Sequence, residues 1–203
     1  MKTKIKKKVQ ALIDSYTGVK KDIISKIADW KKDTIYSAEH KDERIKELEA
    51  EAVQLDMVFN GKMKDVISEE KAALIGEPEA KPADYQVQIS NALKFLELAG
   101  SKLNDDQAYN ILKPFQADYD TMQLFQATIG GIAKNGGVHS TFSKTFEKTN
   151  DFMALVNSFE FSEKTAVNLF DFKADGLTAG VKSSMFMDSI NQIEQLASKI
   201  DAA

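Results

Sequence analysis

The chain has 203 residues, 43% of them apolar, a formal net charge of −4 and no cysteine. That is enough for one good core, or for an extended arm plus a smaller domain, and the composition is not that of a disordered chain. The missing thiol excludes disulfides, thiolate metal sites and cysteine nucleophiles, and no run approaches the eighteen apolar residues of a membrane-spanning helix.

The start, Met1-Lys-Thr-Lys-Ile-Lys-Lys-Lys8, resembles the basic end of a signal peptide, but Gln10 and Asp14 interrupt the apolar segment that should follow. A cytoplasmic chain is therefore expected. The basic residues are 26 Lys and one Arg, so bidentate recognition of phosphates or bases by Arg is nearly absent. Charge is also sorted along the chain: residues 1–32 carry a formal +7, residues 33–80 a formal −7, and the remaining 123 residues −4.

Each charged block carries a seven-residue apolar repeat. In the first, Val9, Tyr16, Ile23 and Trp30 fall seven apart, with Leu12 and Val19 between them. Lys26 breaks this stripe once, Ile13, Ile24 and Ile27 widen it, and Gly18 marks a close contact or a bend. In the second block Ile45, Ala52, Phe59 and Val66 repeat the device, with Leu48 and Leu55 between. A helix from about Ala38 to Leu74 is expected, roughly 55 Å long at 1.5 Å per residue. Residues 1–76 thus read as a charged helical arm, either a hairpin closed within the chain or a coiled-coil seam between chains.

Prolines 78 and 82 end the arm, making residues 77–83 a linker. Residues 84–203 read as a Phe/Met-rich domain of shorter helices. Asp84 is placed to cap a helix through Val87, Leu93 and Leu96 that stops at Gly100. Asn104 and Gln107 form a capping box for a short helix ending near Pro114. Pro114 is expected to open the next helix, through Phe115, Tyr119, Met122, Phe125 and Ile129, which the glycines at 130, 131, 136 and 137 should break. A helix through Phe142, Phe146, Phe152, Leu155 and Phe159 follows. The last begins at Ser183 or Ser184, burying Met185, Phe186, Ile190, Ile193, Leu196 and Ile200. Gln86 to Ile89 alternate like a short strand. The fold class is all-α: a long N-terminal helical hairpin or coiled-coil arm, then a compact multi-helix domain.

Chemical motifs come only as near misses. Gly131 to Gly136 has the outer spacing of a phosphate loop, but Gly137 and Val138 stand where Lys and Ser/Thr are required. Asp171 to Gly176 imitates the start of an EF-hand loop, yet Lys173 and Lys182 occupy ligand positions. His40 lies beside Glu39, Asp42 and Glu43, which reads as a solvated helix start, and neither His40 nor His139 has the Glu three residues before it that a di-iron bundle uses. His139 and Ser140 are chain neighbours, whereas a nucleophile and its base are assembled across a fold. No catalytic residue, cofactor or metal site is assigned.

The one binding signal is the basic start, where Lys2, Lys4, Lys6, Lys7 and Lys8 are suited to neutralise phosphates. The aromatic interleaving of a single-strand binder is thin, since Tyr16 and Trp30 lie in the apolar stripe. The expected function is non-enzymatic: a structural or assembly protein that meets protein partners, itself or others, through Val9, Leu12, Tyr16, Val19, Ile23, Trp30, Ile45, Leu48, Leu55 and Phe59. Nucleic-acid association through the lysines is the alternative. In organisation, a lysine-rich, cysteine-free chain with a long charged helical arm and a small helical domain is similar to bacteriophage and prophage structural or assembly proteins. That resemblance implies an oligomeric virion component or scaffold.

Overall fold

A computed structural model describes residues 3–76, 80–136, 142–174 and 176–202, and among them it is all helix and turn, with no strand. In chain order the helices are α1 (Ile5–Lys32), α2 (Ala38–Ile75), α3 (Tyr85–Ala99), α4 (Asp105–Leu112), α5 (Tyr119–Gly136), α6 (Ser143–Ala166) and α7 (Gly176–Ala202). The segment at Gln86 to Ile89 is helical, within α3. Contacts divide the chain into two units, Met1–Ile75 with Val156–Ser198, and Gly76–Leu155 with Lys199–Ala203. The sequence reading had placed all of 84–203 in one domain; residues 156–198 pack instead with the arm, for reasons given below.

In the first unit α1 and α2 form an antiparallel hairpin. Asp33 turns the chain at its tip: its Oδ1 accepts the N–H groups of Ile35 (2.7 Å) and Tyr36 (3.2 Å). Ser37 Oγ then accepts the N–H of His40 (3.3 Å), satisfying one free amide at the start of α2. The open end is closed by side chains from other helices. Thr3 Oγ1 accepts the N–H of Ile5 (3.1 Å) and donates to Glu70 of α2 (3.0 Å), while Glu194 of α7 accepts the N–H of Lys6 (3.2 Å). The first turn of α1 holds lysines and no acid of its own. Glu70 and Glu194 supply the negative charge that a helix N-terminus favours.

The seam follows the heptads at one position in two and departs at the other. Ile5, Val9, Tyr16, Ile23 and Ile27 are buried on α1, and Ala52, Asp56, Phe59, Met63, Ile67 and Glu70 on α2. Ile23, Ile27 and Ala52 pack with Ile45, Leu48, Leu55 and Phe172. From Lys20 on α1 and Asp56 on α2 the second position of the repeat lies four residues on rather than three, while Leu48 and Leu55 keep the expected place: Ile27, not Lys26, continues the seam, and Lys26 pairs with Asp22 (2.7 Å). Lys20 rather than Val19 lies against the core, its ammonium donating to the Asp171 carbonyl (3.2 Å) near the rings of Tyr16 and Phe172. Its alkyl stem supplies the apolar surface there. A Cβ built on Gly18 meets nothing within 4 Å, so the expected close contact is absent.

Asp56 and Asn60, one turn apart on α2, fix the segment between α6 and α7. Asp56 accepts the Tyr16 hydroxyl (2.6 Å) and the N–H of Phe172 (2.7 Å). Asn60 accepts the N–H of Phe170 (2.8 Å) and donates to the Phe170 carbonyl (2.9 Å), completing both backbone groups of one residue. Phe170 thereby enters the core beside Tyr16 (ring centroids 4.3 Å apart) and Phe59 (5.8 Å). Burial first, and then the adjacent carboxylate, push the Tyr16 hydroxyl pKa well up, so it remains a donor. Flanking contacts extend the attachment: Lys71 pairs with Glu163 (3.0 Å), and the buried hydroxyls of Ser162 and Ser189 join α6 to α7 (2.7 Å). These bonds place 156–198 with the arm.

In the second unit α3 contributes Tyr85, Ile89, Ala92 and Leu96 to a core with Leu103, Ala108, Leu112, Phe115, Met122, Phe125, Ile129 and Phe146. Gly100 ends α3 at a positive φ of 52°, and the Asn104–Gln107 capping box is present with bonds of 2.9 and 3.1 Å. Asp84 stands at the N-cap position of α3 but makes no cap bond; it holds Gln88 instead (2.8 Å). Pro114 lies in a 3-10 turn, and Asp118 opens α5, accepting the N–H and hydroxyl of Thr121. Asp105 reaches across to the start of α6, accepting the N–H groups of Lys144 and Thr145 (both 2.9 Å). Helix α5 continues through Gly130 and Gly131 to Gly136, and α7 starts at Gly176, earlier than Ser183.

Asp56→Ala removes an acceptor from one buried and one part-buried donor and is expected to destabilise the chain by about 2–4 kcal/mol, read by urea unfolding. Tyr16→Phe, which leaves Phe172 paired, should cost about 1–2 kcal/mol. Asp118 gives a pH signature. Burial alone would raise its carboxyl, but bonds from Thr121, Lys81 and Tyr85 outweigh that and hold it at about 2 against an ordinary 3.8. Its folded-state pKa is depressed, so its contribution is complete above about pH 4 and is lost as pH falls towards 2. Thermal melts between pH 5 and pH 2 should show a loss that is smaller in Asp118→Asn.

Candidate interaction surfaces

Of the ten residues expected at a helix interface, Val9, Tyr16, Ile23 and Phe59 are buried, and Leu12, Trp30, Ile45, Leu48 and Leu55 are half-buried. Those whose contacts are described meet this chain's own elements: Ile23 lies with Ile45, Leu48 and Leu55, and Tyr16 with Phe59 (5.5 Å). Val19 is exposed. The seam is thus closed within the chain, and surfaces toward another molecule have to be sought on the outer faces.

At the hairpin tip Trp30, Tyr36 and His40 form a ring cluster, with centroids 5.2 to 5.9 Å apart, and Ile35 is 84% exposed beside it. His40 makes this aromatic contact and lies 3.8 Å from Glu43; among the described residues no group of three His, Cys, Asp or Glu is placed to hold a metal ion. A groove of about 600 Å³ runs beside α2, lined by Val53, Met57 and Val167 with Lys64, Asp171 and Lys182. Asp171 is used locally there, its Oδ1 accepting the N–H groups of Lys173 (2.9 Å) and Ala174 (3.2 Å), which is turn chemistry.

In the second unit the outer face of α3 carries Val87, Phe95 and Leu98, exposed at 60%, 59% and 88%. They lie opposite Tyr85, Ile89, Ala92 and Leu96, so α3 has an apolar stripe on both sides. The sequence pattern traces this helix through Val87, Leu93 and Leu96 and passes over Phe95 and Leu98. Their spacing of eight and three residues was the available signal, hidden because a helix with apolar residues all round reads as buried. Likewise Met185 is exposed on α7 together with Leu177 and Val181, at four-residue spacing, whereas Phe186, Ile190 and Ile193 are buried. A cleft of about 200 Å³ in this unit is lined by Tyr109, Lys144, Glu147, Asp151 and Lys199, and its charges are paired, Lys199 with Glu147 (3.1 Å) and Asp151 (2.6 Å).

Of the basic start, Lys4, Lys6 and Lys7 are exposed. Lys8 is bound to Glu70 (2.7 Å), whose hydrogen bond raises the Lys8 pKa. Lys2, His139, Ser140, Gly137, Val138 and Asp175 lie outside the described residues, and so does the linker at 77–79. Among the described residues no helix is long and apolar enough to cross a membrane. Comparison with protein-family models, with curated proteins and with solved structures finds no match.

The outer stripe on α3 gives a direct expectation. Leu98→Glu together with Phe95→Lys should leave unfolding stability within about 0.5 kcal/mol, because surface changes away from the core cost little. A loss above about 2 kcal/mol would mean that the stripe is covered within the chain.

Proposed function

We propose that this chain is a non-enzymatic structural or assembly protein that works through helix-mediated contacts with other protein chains. The observation that carries the reading is the stripe of Val87, Phe95 and Leu98 on the outer face of a helix whose inner face is already buried. Exposed apolar residues scattered singly are ordinary, but side chains aligned on one helical face form a contact surface. The stripe at Leu177, Val181 and Met185 and the exposed Ile35 at the hairpin tip support the same reading. The similarity in organisation to bacteriophage and prophage assembly proteins makes a virion component or scaffold its specific form.

A second reading is nucleic-acid association through Lys4, Lys6 and Lys7, favoured by their exposure in the first turns of α1. It predicts an affinity that falls steeply with salt, in proportion to the phosphates neutralised.

The test places a photo-crosslinking residue at Leu98, Val181 or Ile35 in the native cellular setting. The proposed function expects covalent adducts to protein chains from at least one site, and loss of the Leu98 adduct in a Val87→Glu, Phe95→Lys background. Adducts to nucleic acid alone from a probe at Lys7, with none to protein from the three apolar sites, would replace it with the second reading.

A further inference from the structure

The proposed function rests on contacts between chains, and the free faces of α1 and α2 narrow the partner. Away from its buried residues, α1 presents Lys4, Lys7, Lys21 and Lys32, and α2 presents Glu43, Glu47, Glu51, Asp65 and Glu69; all nine are exposed. At 3.6 residues per turn each set falls within a sector about 100° wide. The four lysines have no side-chain partner among the described residues, and the one ion pair described between the two helices joins Lys8 to Glu70. Most of the sorted charge is therefore left facing outward.

The two faces also match in register. Inside the chain Thr3 is level with Glu70, Tyr16 with Asp56, and Trp30 with His40. If α1 of one copy is laid at that same level on the free face of α2 of another, Lys4 comes opposite Glu69, Lys7 opposite Asp65, Lys21 opposite Glu51, and Lys32 within about one turn of Glu43. The match holds over length because Lys7 to Lys21 and Asp65 to Glu51 are both fourteen residues, about 21 Å at 1.5 Å per residue. Of the acids on the α1 face, Asp29 is level with Arg44 and Asp14 lies about one turn from Lys62, while Asp22, level with Glu51, is already paired with Lys26 (2.7 Å). Ala11, Gly18 and Ser25, seven apart between the lysines, leave room for a neighbouring helix, and nothing lies within 4 Å of a Cβ built on Gly18.

We propose that a second copy of this chain docks its α1 face on the α2 face of the first, side by side and without stagger. The two patches differ, so the contact is head-to-tail and leaves one unused patch at each end, from which a ring or a filament grows. Charge sets the register, because opposite signs meet at this level and like signs meet when the copies slide.

The test uses the full chain in sedimentation equilibrium, with two variants whose helicity is checked by circular dichroism: Lys7→Glu with Lys21→Glu, and Glu51→Lys with Asp65→Lys. The natural chain should self-associate, and should do so several-fold more weakly as salt rises from about 0.01 M to about 1 M and the Debye length falls from about 30 Å to about 3 Å. Each variant alone should associate about tenfold or more weakly, while an equimolar mixture of the two should recover the natural strength, because the new Glu residues of one meet the new Lys residues of the other. A natural chain that stays monomeric at every concentration reached, variants that associate undiminished, or a mixture no stronger than its components overturns the proposal. Any of these together with protein adducts from the α3 or α7 stripes would sink the self-docking alone and leave the broader reading standing; the same result without adducts would remove both.

Discussion

The first unit depends on a carboxylate and an amide set one turn apart in the middle of α2. Asp56 and Asn60 take the backbone of Phe170 and Phe172, and the rings those residues carry complete a core that begins with Tyr16 and Phe59. A buried polar group without a partner costs about as much as several buried methylenes return, so the bonds are made together or the segment does not enter. Here both side chains are satisfied by main-chain groups that a loop would otherwise have to leave to water. The consequence reaches the whole unit. A hairpin of two long helices has little core of its own, and it gains one by holding residues more than a hundred positions away.

That arrangement separates two uses of the same helices. The inner faces of α1 and α2 are consumed inside the chain, which is why residues that look like an oligomerisation seam in the sequence are mostly covered. The outer faces keep the charges, and since exposed pairs contribute only about 0–1 kcal/mol each, their value lies in solubility and in register more than in stability. Apolar contact surface lies on the outer sides of α3 and α7, and α2 adds the exposed Val53, Met57 and Val58. A chain that folds on one face of each helix and keeps the other for neighbours is suited to assembly, and this is the reasoning behind the proposed function.

Much of the architecture was legible because long amphipathic helices write their period plainly. The bounds of α2 were read to within a residue, and the capping box at Asn104 was recognised from two side chains. The phase of the seam was harder. A seven-residue template expects an apolar residue at position 19, and the chain uses the stem of Lys20, which no apolar count registers. The glycines at 130 and 131 each cost a helix about 1 kcal/mol, yet α5 runs through them, so context outweighed propensity there. Asp56 was the least visible. In the sequence it is one acid among thirteen in its block, indistinguishable from the exposed Asp65, because the group that selects it, the N–H of Phe172, is 116 residues away. The site residues shared this limit: periodicity showed which helical faces are apolar, but not which of two apolar faces the fold leaves uncovered, as Phe95 and Leu98 illustrate.

The central claim is that the polar pins on α2 hold the segment between α6 and α7 as firmly as the core itself, and amide hydrogen exchange tests it most directly. The N–H groups of Phe170 and Phe172 should exchange as slowly as those of Ile23 and Phe59, opening only when the unit unfolds, and Asp56→Ala should release Phe172 by far more than it releases Ile23. Rapid exchange at Phe170 and Phe172 in the natural chain, while the hairpin amides stay protected, would contradict the account and leave the hairpin standing without the segment that completes its core.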